Sequence, residues 1–161
     1  MCIRDRHKGK LIFEYFDNFT KKSTPHIIFS VSKSLTSLLF GIIQKKYKIN
    51  LSSQVCHYIP ELTNTAYKNA TIRNVLDMNV SSDFIEDYSG EAEIFKKYRA
   101  STGWDLIEED LDNVPQGLYE FLSSMPSSSK NLPHGTTYHY CSPHSDLLGW
   151  IIERICGDKY Y

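Results

Sequence analysis

No apolar run in the 161 residues approaches the roughly 20 needed to cross a bilayer, so the sequence offers no candidate for a helical span. The N-terminal stretch MCIRDRHKGK lacks the apolar core of a signal peptide, and the compartment stays open between cytoplasm and periplasm. Charge of one sign is also missing. Eighteen Lys and Arg stand against 19 Asp and Glu, a net charge of -1, with the lysines scattered among carboxylates. Neither nucleic acid nor an anionic membrane suits such a surface. There is no CxxC pair and no internal repeat. Cys56, Cys141 and Cys156 are odd in number, which argues against a disulfide framework and a zinc ribbon. Cys2 falls in the opening hexamer MCIRDR, a charged stretch without periodicity that reads as a non-native leader. Residues 1–6 are therefore set aside, and 7–161 are taken as the folding part.

A hydrophobic fraction of 41% is enough for one domain with a sizeable core. KLIFEYF (Lys10 to Phe16) is aromatic and β-rich and predicts a strand, and DNFTKKSTP after it a turn. HIIFS is a second short apolar run that ends at Ser30. The period then changes. In VSKSLTSLLFGIIQKK, the residues Val31, Leu35, Leu38, Leu39, Ile42 and Ile43 recur at helical spacing and predict a buried face. Ser30, Ser34, Ser37 and Gly41 form a small-residue stripe that lets another element approach, so this helix is expected to be central. Thr71 is placed to cap a short helix that turns Ile72, Val75, Leu76 and Met78 inward. Residues 79–103 read as a long loop with a helical turn, and GLYEFLSSM (Gly117 to Met125) as a further helix. In the last helix Ser142 is the expected N-cap and Pro143 the first helical position. Leu147, Leu148, Ile151, Ile152 and Ile155 form its core face, and Gly157 its C-terminal cap.

Two segments could carry chemistry. Ser30-Val-Ser-Lys33 has the form S-x-x-K at a helix start, where residues three apart share a face and the ammonium can reach the hydroxyl. Desolvation would lower the lysine toward the range in which it can take a proton, and first-turn N–H groups could hold an oxyanion. Without further context the same four residues also serve as an N-cap with a surface lysine. A second match, Ser127-Ser-Ser-Lys130, lies in a Pro/Ser loop with no helix to desolvate its lysine. HGTTYHYCSPHSD (His134 to Asp146) looks metal-like. Yet Cys141 directly follows Tyr140, and His144 lies within the helix start, so His134, His139, Cys141 and His144 would diverge and no metal is expected. The histidines read as loop and surface residues, and Glu86 and Asp87 as solvated.

FSVSKSLTSLLFG, IPEL (Ile59 to Leu62), TIRNVLDMNVS and YCSPHSDLLGWIIERICG occur in an order and spacing that resemble serine hydrolases of the β-lactamase-related superfamily. The nearest likeness is to the 6-aminohexanoate-dimer (nylon-oligomer) hydrolase branch. The resemblance implies an α+β fold of the serine β-lactamase/transpeptidase type, here mostly its helical lobe with a remnant of the antiparallel sheet. It implies Ser30 as the acylated nucleophile, Lys33 as its base and Tyr140 as the proton shuttle of a Y-x-S element. Ser142 occupies the third position of that element and Tyr88 resembles a tyrosine that contacts the scissile amide, so both are expected on the substrate. A core tyrosine remains the plain alternative for Tyr140, and simple packing or exposure for Tyr88. The implied substrate is a small amide or ester, with no cofactor. The same site in the superfamily serves D-amino-acid peptidases, transpeptidases and esterases, and a non-catalytic ligand-binding descendant would keep the pocket.

The superfamily's third element, K-T-G or H-x-G, has no counterpart. Ser101-Thr-Gly103 matches it only loosely, with the wrong first residue and in the wrong place. The sequence accordingly reads as a fragment lacking the C-terminal strands, expected to be weakly stable and poorly active. Oligomeric state is left open by every pattern considered.

Overall fold

His7 and Lys10 face each other across a two-residue loop whose residues, Lys8 and Gly9, have φ of 48° and 78°. Positive φ at both positions is the signature of a turn that matches the natural twist of a hairpin. It joins β1 (Cys2–His7) to β2 (Lys10–Phe16), an antiparallel pair with a bulge between Asp5 and Arg6. The computed structural model describes residues 1–107 and 111–157, so the end of the expected domain, 158–161, lies outside the described residues. β2 falls where the sequence predicts it. β1 does not: the hexamer set aside as lacking periodicity supplies most of a strand, because the turn and the pairing with β2 fix its conformation. Behind the hairpin, the Asp17 carboxylate accepts from Phe19 N at 3.0 Å and from Thr20 N at 2.9 Å, and this closes the turn that follows.

Contacts divide the chain into two units, Met1–Ser32 and Lys33–Tyr161. The first holds the hairpin and the extended approach to the first helix. The rest is mainly helical, so the whole is α+β with most of its regular structure in helices, as expected. α1 (Val31–Tyr47) starts in the last two residues of the first unit and runs into the second. Two short 3₁₀ turns, Val55–His57 and Pro60–Asn64, lead to α2 (Ile72–Leu76). α3 (Glu93–Ser101), α4 (Leu118–Ser123) and α5 (Ser142–Cys156) complete the second unit.

The core of that unit joins Val55, Ile59, Leu62 and Tyr67 to Ile72 and Val75 of α2 and to Leu147, Leu148, Ile151 and Ile152 of α5. α5 therefore buries the face its sequence announces, with Ile155 half-buried at the edge, and Gly157 closes it with φ of 71°. α1 differs from expectation. Phe40 and Ile43 are buried and Leu39 partly so, but Val31, Leu35, Leu38 and Ile42 are exposed, as are Ser34, Ser37 and Gly41. Apolar residues occupy more than one side of this helix, and the core covers only the edge bearing Phe40 and Ile43.

α2 begins as predicted. Thr71 Oγ1 accepts from Asn74 N at 3.2 Å, while Asn74 Oδ1 accepts from Thr71 N at 2.9 Å, a reciprocal capping box. Thr71→Ala is expected to cost about 1 kcal/mol, read as a lower urea midpoint at unchanged slope. No measurable shift would mean that this short helix is held by its buried side chains alone.

Candidate active site

Ser30 is the residue immediately before α1. Phe29, which precedes it, has φ of 41°, a left-handed conformation that is uncommon for an aromatic residue. Val31 N donates to Ile28 O and Ser32 N to Phe29 O, each at 3.0 Å. The Ser32 hydroxyl donates to the same Phe29 oxygen at 2.6 Å. These tight turns fix the entry to the helix. They also commit the Val31 and Ser32 N–H groups, so these two are not the free first-turn donors that the sequence suggested for an oxyanion.

Lys33, Tyr88, Tyr140 and Ser142 all lie in the second unit. Lys33 Nζ stands 5.6 Å from the centre of the Tyr140 ring, a cation–π contact between residues far apart in sequence. Tyr140 reaches it from a segment pinned to the loop after α2. His139 N donates to Met78 O at 2.7 Å, His139 Nε2 to Phe84 O at 2.6 Å, and Gly135 N to Asn79 O at 2.8 Å. His134 Nδ1 accepts from Ser81 N at 3.0 Å and its Nε2 donates to Lys68 O at 2.9 Å, which sets the neutral Nε2–H tautomer. Gly135 belongs to this staple: its φ is 86°, and a Cβ there would come within 3.3 Å of Asn74 Nδ2.

His134 and His139 are thus ties between two loops. His144 is neither a loop nor a surface residue. Its ring is fully buried against Tyr67, at 5.8 Å between centroids, and neither ring nitrogen has a hydrogen-bond partner. Burial lowers its pKa to about 3, with lesser contributions from His139 and His134. Among the described residues no group of three or more His, Cys, Asp or Glu is placed to hold a metal ion.

The N-terminus of α5 departs from its predicted cap. Ser142 is the first helical residue rather than the cap, and Cys141 in the cap position makes no side-chain capping bond. Glu86 takes over that task from another loop. Its Oε2 accepts from Ser142 N and its Oε1 from Ser142 Oγ, both at 2.8 Å, and Tyr88 OH also donates to Oε1. A carboxylate at a helix start meets unpaired N–H groups and the positive end of the helix dipole. Glu86 is therefore engaged rather than solvated. Asp87 is engaged too: bonds from Ser89, Ala92 and Glu91 hold its carboxyl down at about 2.

A second carboxylate lies behind. Asp146 accepts from Tyr98 OH at 2.6 Å. Burial raises its pKa against the opposing pull of the Tyr98 bond and of Lys33. Burial likewise drives Tyr98 and the Cys141 thiol upward. Lys33, Tyr140, Tyr88, Glu86 and Asp146 form one electrostatic neighbourhood. In sequence Glu86 reads as solvated and nothing marks Asp146, since their partners lie 56 and 48 residues away. The second S-x-x-K lies elsewhere, beside a cleft of about 480 Å³ lined by Ser82, Asp83, Lys130 and His139. Lys130 there is exposed, and no helix desolvates it.

The Beta-lactamase family profile matches residues 3–161. A 6-aminohexanoate-dimer hydrolase from Paenarthrobacter ureafaciens is 32% identical over 153 residues, covering 94% of this chain and 37% of its own length. A solved structure from Bacillus anthracis, provisionally named a 6-aminohexanoate-dimer hydrolase, superposes with a TM-score of 0.80 at 24% identity. That match covers 94% of this chain and 39% of the other, and it establishes the likeness of fold. The chain thus spans well under half the length of the relatives it matches.

Proposed function

The chain belongs to the Beta-lactamase family, and from that premise we propose that residues 7–161 carry part of a hydrolase site at which Ser30 is acylated by a small amide or ester. The observation that carries this reading is the cation–π contact of Lys33 with Tyr140, the two residues that the resemblance implies as base and proton shuttle. The similarity to a 6-aminohexanoate-dimer hydrolase supports an amide as the substrate class.

In this reading Ser30 Oγ attacks the carbonyl carbon while the Lys33 and Tyr140 pair accepts its proton. Collapse of the tetrahedral intermediate breaks the bond to the amine or alcohol, which leaves with that proton. Water then attacks the acyl-enzyme by the reverse path and frees Ser30. The oxyanion is held by donors other than Val31 and Ser32 N–H. Tyr88 contacts the substrate, Ser142, whose N–H and hydroxyl go to Glu86, borders that contact from the start of α5, and the chemistry requires no metal or organic cofactor.

A fluorophosphonate probe followed by intact and peptide mass spectrometry tests the reading. The expected result is a single adduct on Ser30, absent in Ser30→Ala and formed about 100-fold more slowly in Tyr140→Phe, the usual worth of one positioned acid–base group. An adduct on another residue, or none in the folded protein, would overturn it.

A further inference from the structure

Lys33 is the third residue of α1, at the end of the helix where unpaired N–H groups and the dipole oppose a positive charge. No acid stands in the first turn of α1 to offset it. The compensating charge comes from another helix. Lys33 lies against the Tyr140 ring, and its charge is felt by the Cys141 thiol and by Asp146, so the ammonium faces the first turns of α5.

Two carboxylates stand on that side of α5, because Ser142 and Asp146 are four residues apart and share one face of the helix. Glu86, docked on Ser142, already accepts from Ser142 N, Ser142 Oγ and Tyr88 OH. Among the described residues the Asp146 carboxylate accepts only from Tyr98 OH, at 2.6 Å. Tyr98 is buried on α3 and holds that carboxylate from behind. Burial opposes the Asp146 charge, while the Tyr98 bond and Lys33 favour it.

We propose that Asp146 is a positioning residue for acylation: its carboxylate, tied to α3 by Tyr98, is the counter-charge that sets how readily the Lys33 ammonium gives up its proton beside Tyr140. It acts through Lys33 and need not touch the substrate. This inference rests on the reading of Ser30 as the acylated nucleophile. Besides the two partners, the groups that face the site are Tyr140 and Cys141 from the start of α5, Tyr98 from α3, Tyr67 from the segment before α2 and Glu86 from the loop before α3. Burial drives Tyr67, Tyr98 and Cys141 upward, so they stay neutral at ordinary pH. Glu86 is held by Ser142 and Tyr88, which the variants below leave in place.

Asp146→Asn keeps the shape and an acceptor for Tyr98 and removes the charge. Two rates are followed against pH by peptide mass spectrometry: adduct formation on Ser30 with a fluorophosphonate, and acetylation of Lys33 by acetic anhydride, which reacts with the neutral amine. Without its counter-charge the ammonium is less favoured, so the midpoint of each profile is expected to fall by about one pH unit. Asp146→Glu restores the charge and should return both midpoints most of the way, which a purely structural role for Asp146 would not do. The double variant Asp146→Leu, Tyr98→Phe removes the charge together with its donor and carries the test should Asp146→Asn not fold. Midpoints that stay put in the charge-free proteins, or that fall as far in Asp146→Glu, overturn the role of Asp146 while an adduct on Ser30 leaves the nucleophile intact. A fall confined to Lys33 overturns it too, since acylation would then ignore the counter-charge. No adduct on Ser30 in the unmodified protein overturns both readings together.

Discussion

Replacing His144 with leucine is expected to leave the protein at least as stable at pH 7 and to remove most of its loss of stability between about pH 6.5 and pH 3. His144 has an ordinary value of 6.5 in the unfolded chain and about 3 when buried. Between those values the unfolded state binds the proton and the folded state does not, so unfolding is drawn forward as the pH falls. The contribution of the neutral ring is complete above 6.5 and is lost as the pH drops through 3. At roughly 1.4 kcal/mol per pKa unit the full effect reaches about 5 kcal/mol. Asp146 works in the opposite direction. Its pKa is raised, so its share is present below 3.8 and fades as the pH climbs through its folded value. Leucine fills a comparable volume and removes two buried nitrogens that have no partner. Urea titrations at pH 7, 5 and 4 would check this. An equally steep acid limb in His144→Leu would show that other groups set the acid sensitivity.

Phe84→Ala is expected to cost about 3–5 kcal/mol. Phe84 is fully buried and meets three rings edge-on: Phe95 at 6.2 Å, Tyr98 at 5.8 Å and Phe121 at 6.1 Å between centroids. Such contacts add to the apolar area each ring buries. The loop bearing Phe84 leads directly to Glu86 and Tyr88, and the Phe84 carbonyl receives the His139 ring. Truncation should therefore lower the melting temperature by about 10 °C and loosen both carboxylate contacts of α5. Phe84→Leu, which keeps most of the volume, should recover more than half of the loss. A shift of only a degree or two in Phe84→Ala would place the keystone of this core elsewhere.

What could be read from the sequence follows the range of the interaction. α2 and its capping box involve residues three apart, and the inward face of α5 repeats within one helix, so pattern and punctuation suffice for both. The turn at Lys8 and Gly9 is equally local, but the strand before it is charged and without periodicity and so reads as a leader. α1 shows the limit of periodicity. Its apolar residues spread over more than one side, and only the fold reveals that Phe40 and Ile43 are covered while Leu35 and Leu38 are not. The approach of Lys33 to Tyr140 could not come from spacing and was implied only by family likeness. Glu86 escaped because nothing near it in sequence marks a carboxylate that caps a helix 56 residues later. His144 was misplaced for a related reason: a histidine in a polar run looks solvated until the helix around it is seen to be core.

The packing of α5 against α2 has a consequence in time. The hairpin of the first unit pairs neighbours in sequence and can close within roughly 1–10 μs of leaving the ribosome. Ile72 and Val75 must instead wait for Leu147 and Ile151, which emerge about 70 residues later. At the ribosome's pace of about 5–20 residues per second the interval is several seconds. Throughout it the side of α2 that meets α5 stands open to water and to neighbouring chains, so the arrival of α5 sets the moment at which Ile72 and Val75 are first covered.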